Sequence, residues 1–229
     1  MRIVILTGAG ISAESGLDTF RDAGGLWARH DLADLATPEG FARDPALVLD
    51  FYNQRRRAAC AAKPNPAHAA LARLQKDNGD QVTLVTQNID DLHERAGSDP
   101  VIHMHGSLFG ALCGACGHRW PAPKVMRLAD GCQACGAGSP RPDVVWFGEM
   151  PHQLDRISAA LARCDLFVAV GTSGAVYPAA GFVDLARDSG AETLELNLEP
   201  GDRASAFDTG RAGPASDLVP AWVDEVLGR

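Results

Sequence analysis

Four apolar residues near the start, Ile3-Val4-Ile5-Leu6, run directly into Thr7-Gly8-Ala9-Gly10 and then Ile11-Ser12-Ala13-Glu14-Ser15-Gly16. A β-branched run this short and unbroken predicts a strand buried on both faces, as inside a parallel sheet. Glycines at 8 and 10, with Ala13 in the third small position, fit the G-x-G-x-x-G/A pattern of a strand-to-helix turn. Each small residue answers a separate steric need: a tight turn, close approach of backbone to a pyrophosphate, and close helix–strand packing. The helix start would offer its N–H groups to the phosphates. Ordinary α/β packing uses the same turn, so alone it constrains the fold more than the ligand.

A dehydrogenase built on this turn carries a second apolar strand that ends, about 20 residues on, in an acid for the ribose. Asp31 and Asp34 lie at that distance, but no apolar strand precedes them. Asp18-Thr19-Phe20-Arg21-Asp22 and Gly24-Gly25-Leu26-Trp27 stand there instead, a loop with aromatic and guanidinium groups. Such a loop suits closure over the nicotinamide half of a dinucleotide better than hydride transfer.

With 229 residues, the chain has room for one large domain or a domain with an inserted lobe. Its net charge of −8 argues against a nucleic-acid groove as the main site. The first apolar run is too short for a signal peptide, and no stretch approaches the ~20 apolar residues of a membrane span. A cytoplasmic protein without nucleic-acid or membrane partners is therefore expected; a monomer is expected too, though nothing in these patterns derives it.

Cys113-x2-Cys116, fifteen intervening residues, then Cys132-x2-Cys135 is a zinc-ligand spacing. Four thiolates leave no coordination position for water, which predicts a structural ion. The loops between them are rich in Gly and Pro with little core of their own, so metal binding would supply their folding energy, roughly 10–16 kcal/mol in zinc-finger peptides. Two disulfides are the alternative, suited to an oxidising compartment that nothing here indicates. Cys60 and Cys164 remain ordinary thiols. His103 and His105 would share a face in a strand, as a paired metal site requires, but the cysteine spacing argues against that site.

Thr37-Pro38-Glu39 predicts a capped helix, and a second follows Pro45, the helical region closing near Ala62. Leu47, Val48 and Phe51 make an apolar stripe that continues onto Arg55, with Tyr52 at its flank and Arg57 outward. A helix over Ala67–Lys76 carries His68, read as structural or exposed. A strand over Gln81–Thr86 delivers Gln87-Asn88-Ile89-Asp90 to its C-terminal end, where open α/β sheets bind ligands, before a helix at Asp91–Ala96. Pro142–Glu149 reads as extended. Helix Leu154–Arg163, strand Leu166–Val170, helix Ala179–Ser189 and strand Thr193–Leu196 follow, and Leu218–Leu227 closes the chain as a helix.

The segment GAGISAESGLDTFRDAGGLW, then Gln87-Asn88-Ile89-Asp90, His105-Gly106, the four cysteines, Gly171-Thr172-Ser173 and Asn197 resemble, in order, the sirtuins, which are NAD-consuming protein deacylases. The resemblance implies a Rossmann-like parallel sheet as the large lobe, about 1–30, 65–105 and 145–229. The small lobe would comprise a helical insertion, about 31–64, and a zinc-binding insertion, about 106–144. It implies NAD at Gly8, Ala9, Gly10, Ala13, Glu14, Thr19, Phe20, Arg21 and Trp27, and at Gln87, Asn88, Ile89 and Asp90. Gly171, Thr172, Ser173, Asn197, Leu198, Glu199 and Ala215 complete that set.

The family likeness further makes His105 the catalytic base, gives His103 no matching role, and places Val144, Trp146 and Phe147 beside the acyl-lysine channel. Tyr52 and Arg55 match the Tyr-x-x-Arg of sirtuins that remove acidic acyl groups such as succinyl and malonyl. Acylated-lysine proteins are then the substrates, and nicotinamide and O-acyl-ADP-ribose the products. A mono-ADP-ribosyltransferase, a dehydrogenase and a non-catalytic NAD- or zinc-binding module are the alternatives.

Overall fold

A computed structural model describes residues 1–18, 32–138 and 140–229. Thr19, Phe20, Arg21 and Trp27 lie outside the described residues, as do Asp22, Gly24, Gly25, Leu26 and Asp31.

The first strand, β1 (Ile3–Thr7), is buried at every position, as its unbroken apolar run requires. Ile3 and Ile5 face one hydrophobic cluster while Val4 and Leu6 face another, so both surfaces of the strand are covered. It stands at the centre of a six-stranded sheet with β2 (Val82–Thr86), β3 (Val101–His103), β7 (Leu166–Val170), β8 (Glu192–Asn197) and β9 (Thr209–Ala212). The order is β3-β2-β1-β7-β8-β9 and every pairing is parallel. The chain winds outward from β1 first on one side and then on the other, so the order reverses between β1 and β7. Such a switch point opens a crevice at the strands' C-terminal ends. The register aligns those ends: Thr7 pairs with Thr86 and with Val170, and Val170 with Leu196.

Helices α5 (Pro66–Asn78) and α9 (Ala215–Leu227) cover one face with Leu71, Leu74, Val219, Trp222 and Val223. Helices α7 (Leu154–Leu161) and α8 (Phe182–Asp188) cover the other with Ile157, Leu161, Phe182, Val183 and Ala186. The short helices α1 (Ala9–Ala13) and α6 (Leu92–Arg95) follow β1 and β2 at the crevice.

The predicted helical insertion consists of α2 (Leu32–Leu35), α3 (Pro38–Arg43) and α4 (Pro45–Ala61). Thr37 accepts a hydrogen bond from Gly40 N at 2.9 Å and Asp44 one from Leu47 N at 2.9 Å, so each proline-led helix starts at a side-chain cap. A second, antiparallel sheet of order β5-β4-β6 is formed by β4 (Gly106–Cys113), β5 (Arg119–Pro121) and β6 (Pro140–Val144). Leu35, Val48, Phe51 and Tyr52 pack with Leu108, Val144 and Trp146, and Leu49 packs with Ala111 and Met126. The second sheet thus buries its apolar residues against α4 rather than in a core of its own. Asn53 on α4 strengthens the join by donating to Met126 O at 3.0 Å and accepting from Met126 N at 2.9 Å.

Three expectations change. The extended reading of Pro142–Glu149 holds only to Val144; Glu149 N donates to Trp146 O at 3.0 Å and closes a turn. Helix α9 begins at Ala215 rather than Leu218, because the distant Glu14 carboxylate accepts from Ser216 N at 3.1 Å and caps it. His68 is fully buried, where its ring bonds Asn65 in the capping box of α5 and contacts His93 at 4.9 Å between centroids, so the structural reading stands and the exposed one does not.

Candidate active site and metal centre

Four strand ends meet at the switch point through side-chain amides and hydroxyls. Gln87 Nε2 donates to Thr172 Oγ1 at 3.0 Å, and Asn197 Nδ2 to Thr172 O at 2.8 Å. Asn88 Nδ2 donates to Gly8 O at 3.0 Å and to Ser12 Oγ at 3.1 Å, while Ser12 Oγ donates to Asp90 Oδ2 at 3.1 Å. Asp90 also accepts from Leu92 N at 3.1 Å, yet burial holds its carboxyl above the ordinary range. Ile89 O accepts from Leu108 N at 2.8 Å, which joins this edge to the second sheet.

The glycines of the first turn prove to serve packing between strand ends. A Cβ on Gly8 would stand 2.7 Å from Gly171 O, and one on Gly10 would stand 2.7 Å from Gly171 Cα. The Gly8 and Gly10 N–H groups donate to Val170 O and Gly171 O at 3.0 and 2.8 Å. Those two amides are thus committed to β7 and its turn. Glu14 and Ala215 approach one another through the cap on α9. Ala9 is partly buried, Ala13 is exposed, Ser173 Oγ accepts from Ala175 N at 3.2 Å, and Leu198 and Glu199 extend outward beyond Asn197.

His103 and His105 face different partners. His103 Nδ1 lies 3.0 Å from Asn88 O and its Nε2 2.6 Å from Glu94 Oε1. A carbonyl and a carboxylate both accept, so both ring nitrogens serve as donors. Burial opposes that charged form, but the Glu94 bond and charge outweigh it and raise the pKa. No lone pair is left for base chemistry or a metal. His105 Nδ1 lies 3.1 Å from Gln87 O, a contact that places the proton on Nδ1 and the lone pair on Nε2. Burial, with a smaller push from His152, lowers its pKa and keeps it neutral near pH 7. Gln87 thereby anchors His105 with its carbonyl and the turn after β7 with its side chain.

Tyr52 and Arg55 lie three apart on α4, on neighbouring positions of one face. Tyr52 is 2% exposed, and burial raises its phenol to about 12. Burial depresses the Arg55 guanidinium, while Tyr52, Asp90 and Asp18 pull the other way. Arg55 Cζ also stands 5.8 Å from the Phe51 ring centroid. The stripe thus carries this arginine inward, where the charge of Asp90 still acts on it. Val144 and Trp146 are buried in the core shared with α4, whereas Phe147 is 47% exposed.

The four cysteine sulfurs lie within 4.8 Å of one another and form the only such metal-ligating group among the described residues. Cys113 Sγ and Cys135 Sγ are 3.8 Å apart, and Cys116 Sγ and Cys132 Sγ are 3.7 Å apart. A zinc tetrahedron with Zn–S of about 2.3 Å has S···S edges of about 3.8 Å. The thiols fit one zinc ion and are free rather than paired as disulfides.

Two buried groups escaped the sequence reading. Arg56 is 3% exposed, donates to Leu108 O at 2.6 Å and to Asn53 Oδ1 at 2.8 Å, and ties α4 to β4. Its signal was a second stripe, Leu49-Asn53-Arg56, beside the one that ends on Arg55. Glu195 is 5% exposed and accepts from Gly201 N at 3.0 Å, holding the loop after β8; a charge inside an apolar strand was its signal.

A reversed parallel sheet with polar side chains along one edge, joined to a lobe with four converging thiols, defines a dinucleotide-binding α/β protein with a structural metal. The Sir2 family matches residues 8–178, and the chain belongs to it. It is 53% identical over 233 residues to an NAD-dependent protein deacylase of Caulobacter vibrioides, covering 100% of this chain and 98% of that one. Among solved structures, a Sir2 homolog–NAD complex superposes with a TM-score of 0.91 at 40% identity, covering 99% of this chain and 90% of the other. A Sir2–p53 peptide–NAD+ complex gives 0.84 at 29%, covering 99% and 93%.

Proposed function

We propose that this chain is an NAD-dependent protein-lysine deacylase whose preferred acyl groups carry a carboxylate, succinyl and malonyl foremost. The family and the deacylase relative support the activity. The observation that carries the site is His105: a histidine kept neutral, with no hydrogen-bond partner on Nε2 among the described residues, fixed by Gln87 at the switch point. NAD supplies the electrophilic ribose carbon and the nicotinamide leaving group. The chain's residues position and deprotonate. Gln87, Asn88 and Asp90 border the ribose and nicotinamide end, Thr172 and Asn197 the neighbouring strand ends, and Ala215 with Glu14 the adenine end. His105 Nε2 takes the proton from a ribose hydroxyl so that its oxygen attacks the acyl carbon. Thr19, Phe20, Arg21 and Trp27 belong to the same proposal.

The acidic-acyl preference rests on Arg55 and Tyr52 at the wall next to Trp146. A carboxylate there would be held by a guanidinium fork and a phenol. Residues 31–64 and 106–144 would form one lobe facing the sheet, with acyl-lysine and NAD meeting in the cleft. The same proposal takes acylated-lysine proteins as substrates and the enzyme as a cytoplasmic monomer without nucleic-acid or membrane partners. Its net charge of −8 and free thiols are in keeping with that. No helix among the described residues is long and apolar enough to cross a membrane.

A panel of acetyl-, succinyl-, malonyl- and glutaryl-lysine peptides incubated with NAD tests this reading. Nicotinamide, deacylated peptide and O-acyl-ADP-ribose should appear together. ADP-ribose attached to peptide or protein would point to the transferase instead, and absorbance of reduced nicotinamide to a dehydrogenase.

A further inference from the structure

The Trp146 indole is held on several sides. The Arg141 guanidinium carbon stands 3.5 Å from the ring centroid, and the Phe41 ring leans on it at 5.3 Å between centroids. Its backbone N–H donates to Glu149 Oε2 at 2.9 Å. Arg141 is itself fixed, donating to both Glu149 oxygens at 2.7 and 2.9 Å and to Val144 O at 2.8 Å. A bidentate fork of this kind fixes direction as well as distance, and the stacked guanidinium adds a cation–π attraction. The indole is 2% exposed and has little freedom to tilt.

Its one polar atom is aimed at Tyr52. Trp146 Nε1–H donates to the Tyr52 hydroxyl at 2.9 Å. An indole nitrogen only donates, so the phenol oxygen is the acceptor in this bond. A phenol that accepts on one side presents its own proton on another. Tyr52 is buried, and Arg55 follows it by three residues on the same helix face.

We propose that Trp146 is a positioning residue for acyl selection: by donating to Tyr52, it turns the Tyr52 proton toward the end of the acyl group. Tyr52 and Arg55 then present donors alone, a wall that accepts an oxygen-terminated anion and gives a methyl terminus nothing to bond. Glu149 and Arg141 act one step further back, by holding the indole. This inference rests on the acidic-acyl reading of Arg55 and adds the group that directs the phenol.

Trp146→Phe keeps an aromatic ring beneath Arg141 and deletes the Nε1–H. Its KM for succinyl-lysine peptide should rise about five- to twentyfold, the loss of one buried hydrogen bond. Its kcat, and its kinetics on pentanoyl-lysine, of similar length with a methyl end, should change less than its KM for the succinyl peptide. Trp146→Phe combined with Tyr52→Phe should cost no more than Tyr52→Phe alone, because both remove one device. Equal losses on both peptides, or additive losses in the double variant, would overturn the positioning role. Arg55→Met, measured alongside, separates the two layers. If it leaves the succinyl preference intact, the acidic-acyl reading falls; if it abolishes that preference while Trp146→Phe leaves KM unmoved, only the positioning role falls. Should Trp146→Phe not fold, the Trp146 indole N–H resonance in Tyr52→Phe decides: a shift with faster exchange supports the bond, and an unchanged resonance overturns it.

Discussion

His105 holds the backbone carbonyl of Gln87 through Nδ1 at 3.1 Å, and the same Gln87 reaches Thr172 in the turn after β7 through its side chain. One residue therefore fixes the tautomer of the proposed base and its place relative to the neighbouring strand. His103, two residues earlier, has both nitrogens engaged by Asn88 and Glu94. His105→Ala should lower deacylation by about 10²–10⁴-fold, with NAD binding retained, since general-base catalysis is worth that much. His103→Ala should lose far less. Steady-state kinetics with calorimetric NAD titration checks both, and equal losses would contradict the assignment.

The pH profile carries the same information. Burial lowers the pKa of His105 from the ordinary 6.5, so the base stays unprotonated to more acid pH. The acid limb of kcat/KM should have its midpoint below 6.5 and should disappear from the residual activity of His105→Ala. A midpoint well above that value would assign the limb to another group.

Removing zinc should loosen the second sheet without erasing the large one. Cys113 ends β4, while α4 still grips the lobe through Asn53, Arg56 and the Leu49–Ala111–Met126 cluster. Cys113→Ser, or chelation, should release one zinc per chain and reduce activity, with the Rossmann-like sheet still folded by circular dichroism. Full activity and an unchanged melting curve without metal would contradict a structural ion.

His68 and His93 make folding sensitive to acid. Burial lowers His68 from 6.5 to about 4, and burial with the fields of His68 and His103 lowers His93 well below 6.5. Between those folded values and 6.5 the unfolded chain binds protons that the folded chain does not, so their contribution is complete above 6.5 and falls with pH. For His68 it amounts to roughly 3 kcal/mol across the window. Urea unfolding at pH 7.5 and pH 4.5 should show the drop, and His68→Gln should remove part of the slope. An unchanged slope would contradict the neutral burial of His68.

Much of this architecture was legible because burial writes itself into composition. Leu166–Val170 and Ile3–Leu6 are covered on both faces, so each reads as an apolar run. β9 was missed since all four of its residues are exposed on a sheet edge, where nothing selects apolar side chains. The start of α9 depends on Glu14, some 200 residues away in sequence, and local patterning is blind to such a cap. Tyr52 and Arg55 were visible through helical spacing. The directions of their polar atoms, and Trp146 behind them, needed the tertiary contacts.

The central claim, removal of acidic acyl groups, is tested most directly by Arg55→Met on matched succinyl- and acetyl-lysine peptides. Arg55 follows Tyr52 by three residues on α4, and burial holds its guanidinium at the cost of desolvation. Losing one member of a buried charge pair costs about 2–5 kcal/mol, or roughly 30- to several-thousand-fold. Desuccinylation by Arg55→Met should collapse by that factor, mainly through KM, while deacetylation is retained or improved. If both reactions fall equally, the arginine serves the helix and its carboxylate neighbours rather than the substrate, and the acidic-acyl assignment is wrong.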